Sequence, residues 1–201
     1  ERARGVAAAP PPTAIPPVHR TARPVMQVKF WGTRGSISSA SPNHTRYGGN
    51  TSCVSVRMGD RLLILDAGTG IRFLGNDIVR DSSIDPSLTL LISHTHWDHI
   101  QGFPFFMPAY IPKYKIHVVG PESFNRPLRN LFEMQMQYEF FPVRMGSLKA
   151  DIRFSRTRMG EIPLDIPCRA QAFVLNHPVL VYGYRIEYQG RTLVYATDAE
   201  W

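Results

Sequence analysis

Cysteine is scarce in this 201-residue chain, which carries only Cys53 and Cys168. Two thiols can form one bridge at most, so a disulfide-stapled scaffold is excluded and two free thiols are expected. No apolar run approaches the ~20 residues that a membrane span needs, which argues against an integral membrane protein. A pattern of charged start, apolar core and small-residue cleavage site is missing too, and a cytoplasmic location is the expectation. Dense runs of one charge sign are also lacking. The net charge is +7, and Arg2, Arg4, Arg20 and Arg23 against Glu1 place +3 of it in residues 1 to 25. The remaining +4 is spread thinly. That balance suits an anionic substrate better than it suits a dedicated nucleic-acid binder. Apolar residues at 43% and charged residues at 19% describe an ordinary globular composition, not a disordered one.

What is abundant is concentrated. Six of the 17 prolines fall within the first 24 residues, in Pro10-Pro11-Pro12, Pro16-Pro17 and Pro24. Proline fixes φ and removes a donor, so this stretch can neither pair in a sheet nor run as a helix. Residues 1–25 are read as a Pro/Ala-rich linker or disordered tail, with a fused upstream domain as one expectation. Residues 26–201 are read as a single catalytic domain.

Within that domain, strands dominate and helices punctuate. Val28–Trp31, Thr51–Arg57 and Leu62–Leu65 read as strands, the last two joined by a Gly59-Asp60 turn. Helical spacing runs from Gly70 to Val79 through Ile71, Leu74 and Ile78. Leu88–Ser93 is a continuous apolar run of the kind buried on both faces. Ile116–Val119 is another short strand, and Pro127–Tyr138 a helix with a Met and aromatic stripe. Three strands follow, Ala170–Leu175, Val181–Tyr188 and Thr192–Ala196, the last pair joined across Gln189-Gly190. The fold class is mixed α/β with much antiparallel sheet.

The chemistry lies in Ser93-His94-Thr95-His96-Trp97-Asp98-His99, directly after the buried strand. His94 and His96 stand two apart and project to one side of an extended backbone. Asp98 and His99 follow where a helix begins and aim at a second point. One short loop thus offers two ligand pairs. Imidazole with carboxylate suits Zn²⁺, with Mn²⁺ or Fe²⁺ as alternatives. The other histidines, His19, His44 and His117, read as ordinary core or surface residues.

This segment resembles the HxHxDH signature of the metallo-β-lactamase superfamily. The flanks Phe30-Trp31-Gly32-Thr33-Arg34-Gly35-Ser36, Arg46-Tyr47-Gly48-Gly49-Asn50-Thr51-Ser52-Cys53 and Leu65-Asp66-Ala67-Gly68-Thr69-Gly70 resemble its phosphodiesterase-like branch. That branch includes cyclic-phosphate phosphodiesterases and RNase Z-type nucleases. The resemblance implies an αββα sandwich, with two sheets between helices and two metals at one edge. It implies one metal on His94, His96 and His177, a second on Asp98 and His99, and Asp198 shared. Asp66 is expected to hydrogen-bond a ligand histidine, with a turn-forming role as the plainer alternative. Asp98 and Asp66 are the candidate catalytic carboxylates. Members of the superfamily continue past the bridging aspartate to one more histidine, and none follows His177 here. The sandwich is therefore expected to be incomplete at its C-terminal side, as a fragment or as a chain completed by another chain.

Two metals about 3.5–4 Å apart would activate a water and clamp the substrate's oxygens, which favours phosphodiester hydrolysis by a metal-bridging hydroxide. The Gly32–Ser36 turn offers backbone N–H groups and a guanidinium, making Thr33 and Arg34, with Asn50, the candidate substrate contacts. The leading reading is a phosphodiesterase acting on a small cyclic phosphate or nucleotide, with no membrane partner. RNA 3′-processing and a non-catalytic metal-binding or sensor module are the alternatives. The resemblance also makes a homodimer one expectation.

Overall fold

A computed structural model describes residues 26 to 200 apart from 45 and 123 to 125. The proline-rich segment read as a linker lies outside the described residues. Among the described residues, ten strands form two sheets. The first is six-stranded and runs in chain order: β1 (Met26–Gly32), β2 (Cys53–Met58), β3 (Arg61–Leu65), β4 (Ser87–Leu91), β5 (Lys115–Gly120) and β6 (Asp151–Arg156). Its β1, β2 and β3 pair antiparallel, whereas β3 to β6 are parallel neighbours. Gly59, with φ of 68°, makes the expected turn between β2 and β3. The second sheet is antiparallel in the order β10 (Arg191–Tyr195), β9 (Val181–Tyr188), β8 (Arg169–Leu175), β7 (Gly160–Ile162).

Parallel strands need a crossover, and α1 (Ile71–Arg80) supplies the one between β3 and β4. Its buried residues Ile71, Leu74, Gly75 and Ile78 follow the i, i+3, i+4, i+7 spacing of one helical face. With α2 (Leu128–Gln135), that face covers one side of the first sheet. Alternation along the strands then sorts the side chains into two cores. Leu62, Ile64, Leu88, Leu90, Ile116 and Val118 meet Phe103, Phe106 and Phe132 on the helix side. Val54, Val56, Leu63, Leu65 and Leu91 meet Ala170, Ala172, Tyr184 and Ile186 between the sheets. The described residues therefore stack as helix, sheet and sheet. The apolar run at β4 is buried on both faces because it lies between these two cores, as its unbroken hydrophobicity implies.

Two strands, β6 and β7, escaped the sequence reading. Asp151-Ile-Arg-Phe-Ser-Arg places Ile152 and Phe154 on the helix-side core and charged groups elsewhere, at the sheet's margin. Three residues of β7 give too short a signal. The helix expected over Pro127–Tyr138 is shorter at both ends, and its Leu128 and Phe132 enter the core, as does Met136 just beyond it. Cys53 and Cys168 are both free thiols. No helix among the described residues is long and apolar enough to cross a membrane.

Candidate metal centre

The carboxyl ends of β3 and β4 lie side by side, and the backbone N–H of Asp66 bonds the Leu91 carbonyl at 2.9 Å. Chain leaving these two ends builds the floor of the site. Asp66 and Ser93 are fully buried, and His94 and His99 are 1% exposed. Asp66 collects four donors: Ser93 N–H on Oδ1 at 2.7 Å, with Ser93 Oγ (2.8 Å), His99 Nδ1 (2.7 Å) and Tyr195 OH (2.7 Å) on Oδ2. A buried carboxylate is tolerated only with such partners.

These bonds fix the histidine tautomers. A carboxylate only accepts, so the Ser93 hydroxyl must donate to Asp66. Its oxygen then accepts from His94 Nδ1, 3.0 Å away. His94 Nε2 is left as a bare lone pair, buried and without a hydrogen-bond partner. Burial pushes the His94 imidazole down to about 4, with His99 adding to that effect, so the ring is neutral at physiological pH. His99 is held the opposite way. Burial would lower it, but Asp66, by charge and hydrogen bond, together with Asp98 and Asp198 raises it to about 8. Three carboxylates around one imidazole amount to a site short of positive charge.

The rim comes from the second sheet. His177 follows β8 and Asp198 follows β10. The two chain ends are clamped by Asn176 Nδ2 donating to Glu200 O (3.0 Å) and Glu200 N–H donating to Asn176 O (2.8 Å). His177 Nε2 stands 3.3 Å from His96 Nδ1, and its Nδ1 lies 3.0 Å from Glu200 Oε1. Asp198 Oδ2 lies 3.0 Å from His99 Nε2, while Asp98 Oδ2 lies 3.5 Å from the same nitrogen. Donor atoms of His94, His96 and His177 fall within 4.8 Å of one another, and so do those of His94, His99 and Asp198. Tetrahedral ligands at 2.0–2.1 Å from a Zn²⁺ stand about 3.3 Å apart, so these spacings fit a cation. His94 belongs to both sets, and its bare, buried Nε2 points to the same conclusion. All six residues expected to hold metal are thus gathered at one place, with His96 and Asp198 on its solvent-exposed side.

Close backbone approach makes this possible at Gly68. A Cβ there would sit 2.3 Å from the Asp98 carbonyl oxygen, so the loop after β3 could not pack under the histidine loop with any larger residue.

The expected substrate contacts are engaged differently. Thr33 and Arg34 both donate their backbone N–H to Asn50 O, at 3.1 and 3.0 Å, and Ser36 N–H donates to Asp98 Oδ2 at 2.8 Å. These amides are spent on the protein rather than turned toward a phosphate. The Arg34 guanidinium donates to Ile37 O and to His44 Nε2. Asn50 Oδ1 accepts from Thr69 Oγ1 at 3.3 Å, a loop-bracing role. His117 pairs with Ser155 Oγ, apart from the centre. Ser93, Tyr195 and Ser36 were not anticipated. Position alone could have flagged Ser93, next to the first histidine, and Tyr195, three residues before Asp198.

A family described as the Beta-lactamase superfamily domain matches residues 61–201. Among curated proteins, ribonuclease Z of Synechococcus sp. (strain WH7803) is 25% identical over 173 residues, covering 83% of this chain and 49% of that protein. Ribonuclease BN of Cronobacter sakazakii is 24% identical over 170 residues, covering 83% of this chain and 51% of that protein. The chain spans about half the length of these curated relatives. Of solved structures, the metallo-β-lactamase fold protein YhfI from Bacillus subtilis superposes with a TM-score of 0.61 at 18% identity, over 89% of this chain and 64% of that one. The short form of human tRNase Z gives 0.57 at 19% identity, over 83% and 67%. With the αβ layering, the histidine loop and a family match over most of its length, this chain belongs to the β-lactamase superfamily.

Proposed function

We propose that this chain carries a metal-dependent phosphodiesterase centre acting on a small cyclic phosphate or nucleotide. One observation carries the reading: two overlapping groups of donors, His94 with His96 and His177 and His94 with His99 and Asp198, gather at one place beside a buried His94 Nε2 that has no hydrogen-bond partner. His94, His96 and His177 would hold one, and His99, Asp98 and Asp198 the other. The nitrogen and carboxylate donors favour Zn²⁺, with Mn²⁺ and Fe²⁺ as alternatives. When bound, such ions supply a water activated near neutral pH and neutralise charge on phosphoryl oxygens.

The protein's own contributions are positional. Asp66 locks His99 with its Nε2 facing the centre, and Ser93 does the same for His94. His96 and Asp198 lie on the exposed side, where an anionic substrate can approach. The net positive charge of the chain favours that approach.

The direct test combines metal content with turnover of bis(p-nitrophenyl) phosphate. About two metals per chain and hydrolysis lost in His96→Ala are expected. Turnover that persists at full rate in metal-free His96→Ala would overturn the reading. RNA is a second reading, favoured by the names of the ribonuclease Z and ribonuclease BN relatives. Cleavage of a tRNA 3′ trailer without turnover of cyclic nucleotides would select it.

A further inference from the structure

Among the described residues, four non-glycine residues have positive φ, and three of them converge on the metal centre. Asp66 (61°) holds His99, and Asp198 (50°) faces its other nitrogen. Ser36 (66°) is the third, and it reaches the centre through its backbone. The fourth, Gln189, belongs to the tight turn between β9 and β10 and needs no further reason. Serine gains little from a left-handed conformation, so something nearby must hold it there.

What holds it is Arg34. Its Nε donates to Ile37 O at 2.7 Å, immediately past Ser36, and its Nη1 donates to His44 Nε2 at 2.8 Å. Arginine cannot accept, so His44 presents a lone pair at Nε2. The base of the loop is tied by the Thr33 and Arg34 amides on Asn50 O. Its two arms meet where Ser39 N–H bonds Gly49 O at 2.9 Å. The consequence falls on Asp98, only 8% exposed. Ser36 N–H bonds Oδ2 of Asp98, the same oxygen that stands 3.5 Å from His99 Nε2. A carboxylate oxygen has a lone pair for the amide and another for a cation. With the first taken, the carboxylate is fixed in rotation and its second lone pair is aimed.

We infer that Arg34 and Ser36 are positioning residues: Arg34 braces a left-handed turn whose Ser36 amide orients Asp98 for the second of the two metals. This rests on the two-metal reading above. It also assigns the Arg34 guanidinium to the loop instead of to the substrate.

Competition between the chain and a chromophoric chelator for Zn²⁺ tests it without any substrate, and the melting temperature of metal-free protein serves as the check on folding. Arg34→Gln should weaken the second equivalent of Zn²⁺ by about 10- to 100-fold and leave the first within about twofold. In an Asp98→Ala background, Arg34→Gln should cost nothing further, because the carboxylate it acts through is gone. Ser36→Gly keeps the amide and should keep both equivalents. If Arg34→Gln proves too unstable to purify, His44→Ala removes only the outer end of the brace and should weaken the same equivalent. Unchanged affinity in Arg34→Gln, or an equal loss with and without Asp98, overturns the inference. A wild-type chain that takes up fewer than two equivalents overturns the two-metal reading itself, and the brace with it.

Discussion

Asp66→Asn is the sharpest perturbation the site offers, because it changes a charge and almost no volume. In the wild type, Oδ1 takes one donor and Oδ2 takes three, all within 2.8 Å. An asparagine must turn its NH₂ toward one of those two groups. Keeping the amide oxygen at the three-donor end is the cheaper choice, and it leaves Ser93 N–H facing another donor. An unpaired buried donor costs about 1–3 kcal/mol. The three surviving bonds lose their charge assistance, at roughly 1 kcal/mol each. Relief from desolvating a buried anion offsets part of this, and the net loss comes to roughly 2–4 kcal/mol. For a domain of this size that is a fall of roughly 5–15 °C in melting temperature. Freed from its anchor, His99 should also bind metal about 10- to 100-fold more weakly. Tyr195→Phe removes one donor of the four and should cost less, about 1–2 kcal/mol. Calorimetry of the metal-free protein and chelator competition read the two effects separately. A variant that melts within about 1 °C of wild type and binds metal unchanged would refute the assignment of Asp66 as the group that orients His99.

Other consequences are simpler to check. Phe132 is fully buried, with ring centroids 4.9 Å from Phe103 and 5.5 Å from Phe154, so Phe132→Ala should cost about 3–5 kcal/mol by urea unfolding. Burial raises the thiol of Cys168 to about 11 and, with Asp66 nearby, raises that of Cys53 well above its ordinary value. Both should therefore react slowly with a disulfide reagent at pH 8, Cys53 only after denaturation; prompt titration of two thiols would contradict the packing. Hydrogen bonds from Ser83 and then the Arg57 guanidinium lower the Asp81 carboxyl to about 2. A depressed carboxyl stabilises the fold above the ordinary value of 3.8 and loses that contribution as pH falls toward about 2. The stability gap between wild type and Asp81→Asn should accordingly be full at neutral pH and narrow across that window. A gap independent of pH would mean that the carboxylate's charge is not involved.

Much of the centre was legible because its ligand types cluster in sequence. Four of the six expected ligands lie within His94–His99, and the unbroken apolar run before them identifies a strand buried on both sides. His177 and Asp198 became legible only through resemblance, since a strand-end histidine or aspartate has no special signature. The way the Thr33 and Arg34 amides are engaged was not legible, for an identifiable reason. A glycine-flanked turn with a guanidinium looks the same in sequence whether its amides face outward or fold back on Asn50. Nothing in a residue name records where a backbone N–H points, and the Ser36 amide on Asp98 was invisible for that reason. Edge strands failed differently: the charged alternation of Asp151–Arg156 is what an exposed strand margin requires, and it resembles a loop.

The division of the centre between two sheets raises a question of precision. Apolar burial brings sheets together but is non-directional, and a metal centre tolerates displacements of only about 0.5 Å. The directional ties are made by tyrosines and by backbone. Tyr184 puts its ring into the core between the sheets and donates its hydroxyl to Ile92 O at 2.5 Å. Tyr195 does the same toward Asp66, and Tyr182 N–H bonds Ser93 O at 2.9 Å. All three bonds run from the second sheet to the segment between the end of β3 and His94, while at the other end of β3 Arg61 donates to Asp165 O in the β7–β8 connection. The residues that carry His177 and Asp198 are therefore held in register with the histidine loop at the point where register matters. A tyrosine serves both needs at once, because its ring contributes to burial and its hydroxyl fixes direction. Phenylalanine at these positions would satisfy the first requirement and fail the second.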